Sequence, residues 1–154
     1  MPIYKIGSVR RVSREDKMKI ENAMRPNEAQ MTEWMSGGVE GPVVMVNLLK
    51  FHAKAQYEDG RDANLTGAEA YQRYAAEVTR LVEGLGGKMI YGGRVTMTLI
   101  GEVSDGWDMV GIVQYPSRAA MAQMTMSDAY REIEIHRNAG LAGQLNIETV
   151  AGGR

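Results

Sequence analysis

One run of residues constrains the architecture more than any other: PVVMVNLLKF, from Pro42 to Phe51. The run is typical of a β-strand with apolar side chains on both faces, interrupted on one face by a single amide, Asn47. Such a strand must be covered on both sides, and the chain has helices enough for only one of them. We therefore expect a second copy of the sheet to cover the other face, in a homodimer that leaves Asn47 in apolar surroundings.

The composition is that of an ordinary globular domain. The chain has 154 residues, of which 44% are hydrophobic and 24% charged, with a formal net charge of -1. Because acidic and basic residues are interspersed, we expect neither a nucleic-acid nor a membrane-surface partner. The opening MPIYKIG lacks the apolar segment of a signal peptide, so we expect a cytoplasmic protein. The absence of cysteine excludes thiolate chemistry and leaves His52 and His136 for imidazole chemistry.

Local patterns predict a helical N-terminal extension. Helix-start patterns at Ser13 and Asn27 indicate two short helices between residues 13 and 36, before the pair Gly37 and Gly38. A long polar connection over residues 52–65 is a candidate lid because of its length.

The remaining patterns predict the order βαββαβ. After the first strand they indicate a helix from Thr66 to Leu85 and a strand over 89–102, with a bulge at Gly92 and Gly93. A strand over 107–115, two helical segments that meet near Ser127, and a last strand over 144–150 follow. Two helices on one face of an antiparallel sheet make an α+β, ferredoxin-like fold. We assign 1–40 to the N-terminal extension and 41–154 to the ferredoxin-like domain, a single domain overall.

Several short motifs carry a resemblance to a known family. They are the strand at 42–51, Gly67 to Tyr71, the pair Gly86 and Gly87, Tyr115 to Ser117, and Tyr130 with His136 and Arg137. Together they resemble the longer members of the uncharacterised family catalogued as domain of unknown function 1330. The resemblance implies a dimeric α/β barrel, in a superfamily that also holds cofactor-free monooxygenases, chlorite dismutase-like proteins and small lyases. It implies no agreed activity.

The candidate catalytic residues lie on the last predicted helix. Tyr130, His136 and Arg137 are spaced so that all three project from the face around Ile133, toward a cavity if that face meets the sheet. His136 is then the acid or base near neutral pH, Arg137 the anchor for a carboxylate or phenolate, and Tyr130 a hydrogen-bond donor. The plain alternative is that Tyr130 belongs to the core while the two cations stabilise the helix C-terminus.

Four further residues are candidates for substrate binding: Asn47, Tyr74, Arg94 and Met124. Asn47 needs a hydrogen-bond partner in apolar surroundings, which is either a ligand oxygen or a backbone group across the dimer interface. Arg94 follows the predicted bulge and points either into the cavity or to the rim. Tyr74 lies on an apolar helix stripe, where core packing is the alternative, and Met124 suits an adaptable apolar pocket.

No cofactor and no metal are expected. The two histidines have no metal-ligand spacing. Asn47 and Trp107 resemble part of the Asn-Trp-His set of haem-degrading monooxygenases on this fold, yet residues 117–126 contain no histidine to bind haem. The sequence thus favours a cofactor-independent enzyme, a lyase, isomerase or monooxygenase-like protein, acting on a small hydrophobic ligand that bears a carbonyl or phenol. A non-catalytic metabolite-binding dimer and a structural dimer remain the alternatives.

Overall fold

The computed structural model describes residues 18–152. Its elements are α1 (Glu28–Met35), β1 (Val43–Phe51), α2 (Gly67–Gly84), β2 (Lys88–Arg94), β3 (Met109–Tyr115), α3 (Arg118–Thr125), α4 (Asp128–Gly140) and β4 (Leu141–Thr149). The four strands form one antiparallel sheet in the order β2-β3-β1-β4. This topology confirms the α+β, ferredoxin-like prediction.

The helix α2 forms where the apolar stripe predicted it. Thr66 and Glu69 make a capping box at its start, and Tyr74, Val78 and Val82 are buried along one face. The helix ends before Gly86, whose φ of 86° suits glycine. The buried stripe meets Val43, Met45 and other residues of the sheet, which places the main core between the helices and one sheet face.

The helices α2 and α4 pack closely where two glycines meet. A Cβ on Gly140 would collide with the carbonyl oxygen of Gly67, and a Cβ on Gly67 would lie 2.7 Å from the carbonyl oxygen of Gly140. Side chains at either position would separate the helices, so the glycines set the spacing of the helix layer.

The prediction of the second strand, over residues 89–102, is wrong in its later half. β2 ends at Arg94, its bulge lies between Met89 and Tyr91 rather than at the two glycines, and the chain then leaves the sheet until Met109. Met97, Leu99 and Ile100 are 67%, 82% and 89% exposed. The alternation of apolar and polar residues suggested a strand, but the neighbouring strand β3 begins only at Met109. Beyond Val95, whose backbone N–H donates to the carbonyl oxygen of Asp108, no strand of the described chain is in position to pair with this segment.

The N-terminal segment is only partly helical. The helix start at Ser13 lies outside the described residues, whereas the capping box at Asn27 begins α1 as predicted. Residues 18–26 are not helical, and Ala23 instead pairs with Gln144 at the edge of β4. Arg25 also forms an ion pair with Glu134 on α4. This segment, which we call the strap (residues 22–25), therefore joins the edge of the sheet to the helix layer.

The predicted lid is tied down by hydrogen bonds. The backbone N–H groups of His52 and Gln56 donate to the carbonyls of Gly140 and Ala139, at the end of α4. Ala55 and Tyr57 are buried against Ala70 and Ala139. The connection after β1 is therefore part of the packed structure.

None of the helices in the described range is long and apolar enough to cross a membrane.

Candidate functional site

Tyrosines from three elements meet between the helices and the sheet. Tyr74 on α2 and Tyr130 on α4 are each 8% exposed, and their hydroxyl oxygens lie 3.2 Å apart. The ring of Tyr71 lies 5.3 Å from that of Tyr74, and Tyr115 enters the same cluster from β3. With Arg137 of α4, these four tyrosines form what we call the sheet–helix cleft.

Arg137 is a buried cation whose partners are neutral. Its side chain is 7% exposed, and it donates to the carbonyl oxygen of Met24 at 2.7 Å and to the Asn138 side chain at 3.4 Å. Within residues 18–152 no acidic side chain forms an ion pair with it. Its charge acts on the hydroxyls of Tyr71 and Tyr74, where it partly offsets the effect of burial on their pKa values. A cation in such surroundings favours an anionic oxygen nearby.

Three of the cleft tyrosines, Tyr71, Tyr74 and Tyr115, are hydrogen-bond donors and not bases. Burial raises the pKa of Tyr71 to about 12 and raises those of Tyr74 and Tyr115 further above the ordinary range. All three phenols therefore stay protonated at neutral pH. Their hydroxyls can stabilise negative charge that develops on a ligand oxygen, while a proton abstracted from carbon would need another acceptor.

Asn47 lies on the sheet face that the helices cover, between buried Met45 and Leu49. Its amide nitrogen donates to the carbonyl oxygen of Gly111 at 3.2 Å, and its oxygen accepts from the amide of Asn146 at 2.6 Å. Backbone and side-chain groups of the same chain thus partner this amide, which is neither of the two partners that the sequence suggested, a ligand oxygen or a backbone group across the dimer interface.

His136 does not share the face of Tyr130 and Arg137. Its Nδ1 atom lies 2.7 Å from the hydroxyl of Tyr57, in the connection between β1 and α2. Burial, together with the positive charges of Arg73 and Arg61, lowers the pKa of His136. The predicted convergence of imidazole, guanidinium and phenol on one cavity is therefore absent, because only Tyr130 and Arg137, seven residues apart, lie on the same side of α4.

The remaining predicted residues divide between core and surface. Met124 is 5% exposed and packs in the cluster that contains Tyr74 and Tyr130. Arg94 is exposed at the end of β2, on the rim. Residues that sequence reasoning did not select are Tyr57 and Arg73, whose hydrogen bond becomes apparent only in the folded chain. The sequence signal for Tyr71 and Tyr115 was stronger, since both belong to motifs that carried the family resemblance.

No group of three or more histidine and acidic side chains in the described part of the chain is placed to hold a metal ion.

Comparison with models of known protein families shows to which family the chain belongs. A model of the family described as domain of unknown function DUF1330 matches residues 61–150, more than half of the chain. The chain belongs to this family. No curated protein matches it.

Solved structures agree with this membership. The crystal structure of the methylated RPA0582 protein is 34% identical, with a TM-score of 0.76, and the match covers 88% of this chain and 100% of that one. A second structure of RPA0582, a protein of unknown function from Rhodopseudomonas palustris, is 32% identical with a TM-score of 0.74, over 84% and 96% of the two chains. SnoaB, a cofactor-independent oxygenase from Streptomyces nogalater, is 14% identical with a TM-score of 0.46, over 72% and 93%, a likeness too slight to bear on chemistry.

Proposed function

We propose that this protein binds a small hydrophobic molecule in the sheet–helix cleft and polarises its carboxylate, carbonyl or phenolate oxygen, as a cofactor-independent lyase, isomerase or monooxygenase-like enzyme. The observation that carries the proposal is the buried charge of Arg137, which faces neutral partners in the described chain. An anionic ligand oxygen would supply the missing opposite charge.

The energetic argument rests on desolvation. A buried charge that lacks an opposite charge costs several kcal/mol, and hydrogen bonds to neutral groups recover only part of that cost. Arg137 has two such neutral acceptors, the Met24 carbonyl and the Asn138 amide oxygen. A guanidinium has five N–H donors in a planar fork that suits a carboxylate or an enolate. Donors therefore remain for a ligand.

The tyrosines beside Arg137 can stabilise negative charge that develops on a ligand oxygen during a reaction. The phenols of Tyr71 and Tyr74 are held protonated next to Arg137. Preorganised donors of this kind stabilise an oxyanion more in the transition state than in the ground state. Tyr130 positions the Tyr74 hydroxyl through their hydrogen bond, and Met124 supplies adaptable apolar surface beside them.

The orientation of His136 favours a second candidate function. The described cleft offers no imidazole or carboxylate as a base, because His136 contacts Tyr57 instead, and burial raises the pKa values of Tyr71, Tyr74 and Tyr115. A non-catalytic protein that sequesters or senses the same class of ligand needs no base. Saturable binding without product distinguishes this function from catalysis.

The proposal is tested with two ligands of equal shape, 2-naphthoate and 2-naphthamide, by calorimetric titration. A charge-assisted hydrogen bond contributes about 1.5–3 kcal/mol, so we expect the native protein to bind the carboxylate roughly 10- to 100-fold more tightly than the amide. Arg137→Met should abolish that preference, and Arg137→Lys should retain part of it. The matched control is Arg131→Met, which removes an exposed arginine from the same helix.

Equal affinity for the two ligands, or a carboxylate preference that survives in Arg137→Met, would contradict the proposal. So would the absence of saturable binding of either compound. Circular dichroism of each variant establishes that it is folded. Tyr74→Phe provides a second variant, because it keeps the ring and should weaken carboxylate binding without removing a buried charge.

We also propose that the chain forms a homodimer through the sheet face that no helix of residues 18–152 covers. Two rows of this outer face are apolar. One row contains Ile147, Val46, Ile112 and Tyr91, and the other contains Leu145, Leu48 and Val110. Val44 adds one apolar residue between Gln114 and Thr149. Ile147 is 47% and Tyr91 56% exposed. Apolar surface of this extent is typical of a site for a partner. We expect the exposed Met97, Leu99 and Ile100 to join the same contact.

A further inference from the structure

One row of the sheet lacks large side chains on the face that meets the helices. Across the four strands, the register places Gly92, Gly111, Asn47 and Asn146 side by side. The neighbouring rows on the same face are filled by Met45 and Val113 on one side and by Leu49 and Met109 on the other. The row is therefore a trough in the sheet, beneath the helix layer.

The glycine at the centre of the trough is not required by packing. A Cβ built on Gly111 would meet no atom within 4 Å, and the residue does not have a positive φ. Gly111 is itself buried, and a side chain at this position would enter open space. Glycine in the interior of a strand weakens the sheet and often marks a place where a ligand approaches the backbone.

The two amides beside the glycine keep unused hydrogen-bonding capacity. Asn146 donates to Asn47, which in turn donates to Gly111. Within residues 18–152, one N–H of Asn47 and the side-chain oxygen of Asn146 have no partner. The pair thus offers a donor and an acceptor at the edge of the trough.

A phenol on the same sheet face also lacks a hydrogen-bond partner within residues 18–152. Tyr115 is 6% exposed, and its hydroxyl has no hydrogen-bond partner in the described part of the chain. No buried side-chain nitrogen or oxygen in that part is left without a partner, so this hydroxyl must touch open space. The ring belongs to the cluster of Val113, Tyr74 and Tyr130, and the row of Met45 and Val113 lies between it and the trough. A phenol in this position is available to a bound molecule.

In the part of the chain that the structure describes, the trough is open at the edge of β4. Gln144 is covered by the strap through its pairing with Ala23, and Glu148 is held by Arg118 and Trp34. Asn146 lies between these two anchored positions and is exposed. A molecule that enters at Asn146 would pass over Asn47 toward Gly111.

We propose that the row of Asn146, Asn47, Gly111 and Gly92 is the floor of a slot for a flat ring, whose carbonyl or hydroxyl group binds the two amides. This inference rests on the proposed function for the anionic group of the ligand and adds its shape and its route of entry. Gly111 is then the residue that determines specificity, because a side chain there would occupy the space of the ring.

The slot is tested by cysteine accessibility, which suits this chain because it has no cysteine of its own. Single-cysteine variants Gly111→Cys, Val113→Cys and Ala119→Cys are treated with N-phenylmaleimide, a reagent that carries a flat ring. Val113 is the buried control and Ala119 the exposed control. We expect Gly111→Cys to react within about tenfold of Ala119→Cys, and Val113→Cys at least about 100-fold more slowly.

Adding Asn146→Phe to Gly111→Cys tests the entrance and should slow the reaction about tenfold. A Gly111→Cys variant that reacts as slowly as Val113→Cys overturns the slot, and an unchanged rate with Asn146→Phe overturns the entrance. Gly111→Val gives an independent measurement: the melting temperature should stay equal or rise, while 2-naphthoate binding falls at least about tenfold. Binding equal to that of the native protein would also overturn the slot.

The two proposals fail in different ways. Loss of the carboxylate preference in the native protein counts against the role of Arg137, whatever the reactivity of Gly111→Cys. An unreactive Gly111→Cys variant contradicts the slot, whether or not the protein prefers the carboxylate ligand.

Discussion

His136 is held neutral by its surroundings on the outer side of α4. The hydroxyl of Tyr57 contacts its Nδ1 atom, and Arg73 and Arg61 lie close enough to lower its pKa, with Asp62 acting weakly in the opposite direction. Arg73 in turn bonds both Asp62 and Tyr57. Protonation of the ring would bring a third positive charge into this group, so the folded state disfavours it.

The pH dependence of stability follows from this lowered pKa. As the pH falls below about 6.5, the unfolded chain takes up a proton on His136 before the folded chain does, so the free energy of unfolding decreases. The decrease ends below the folded-state pKa. The carboxylates of Asp59, Glu69 and Glu148 also have lowered pKa values, but their contributions are lost only as the pH falls through the lower range of acids.

We expect His136→Gln to flatten the stability profile between about pH 7 and pH 5, measured as urea midpoints at several pH values. The steeper loss at lower pH, which the carboxylates cause, should remain. A variant whose midpoints fall as steeply as those of the native protein in the upper window would contradict this account of His136.

At the residue scale, the sequence did not predict which of the neighbours His136 and Arg137 faces the sheet. Neighbouring residues on a helix point about 100° apart, so a pattern three or four residues wide does not decide which of the two faces the sheet. Arg137 is buried, and its role as an anchor stays a prediction, whereas His136 faces the connection between β1 and α2, whose path no periodicity encodes. The trough at Gly111 depends on the register of four strands, which a single sequence does not give.

The helix α1 has no buried residue and is attached through one group of polar contacts. Arg118 on α3 binds both carboxylate oxygens of Glu148, at 2.6 and 2.8 Å, and donates to the carbonyl oxygens of Trp34 and Gly37. The indole of Trp34 also donates to Glu148 at 3.0 Å. These contacts fasten the N-terminal extension beside the proposed entrance at Asn146.

Arg118→Met should release α1 and leave the sheet folded. Loss of charge-assisted hydrogen bonds worth about 1.5–3 kcal/mol should speed amide hydrogen exchange in Glu28–Met35 by roughly 10- to 100-fold. Exchange in β1 should stay as in the native protein, and Arg131→Met should change neither region. Equal exchange of α1 in Arg118→Met and the native protein would show that other contacts hold the helix.

At this scale the sequence predicted most elements well. The capping boxes at Asn27 and Thr66 and the apolar stripe of α2 are local signals, and the elements they predict are present. The extension of β2 beyond Arg94 was wrong because alternation of side chains does not ensure a pairing partner. Partner strands are a property of the sheet as a whole.

At the scale of the whole molecule, the outer face of the sheet is the surface through which we expect two chains to associate. Val46 and Ile112 lie side by side at its centre, and both are only partly buried in the single chain. A stable interface between two chains needs about 1,200 Å² of total buried surface. Two sheets packed face to face are the simplest way to cover residues that are apolar on both sides of β1.

We expect the native protein to have the mass of two chains in size-exclusion chromatography with light scattering. Val46→Lys should give folded single chains, because a charge at the centre of the interface cannot be buried without a partner. Ala119→Lys, at an exposed position on α3, is the matched control and should remain dimeric. A native protein that runs as a single chain at micromolar concentration would refute the dimer.

The central claim is that the sheet–helix cleft binds an oxygen-bearing flat molecule through Arg137 and the amides of the trough. It is tested most directly by nuclear magnetic resonance of the ¹⁵N-labelled protein during titration with 2-naphthoate. We predict saturable shifts of the Arg137 side-chain N–H signal and of the Asn47 and Asn146 side-chain amide signals, with little change at Tyr57. Shifts confined to other surfaces, or none at millimolar ligand, would contradict the claim.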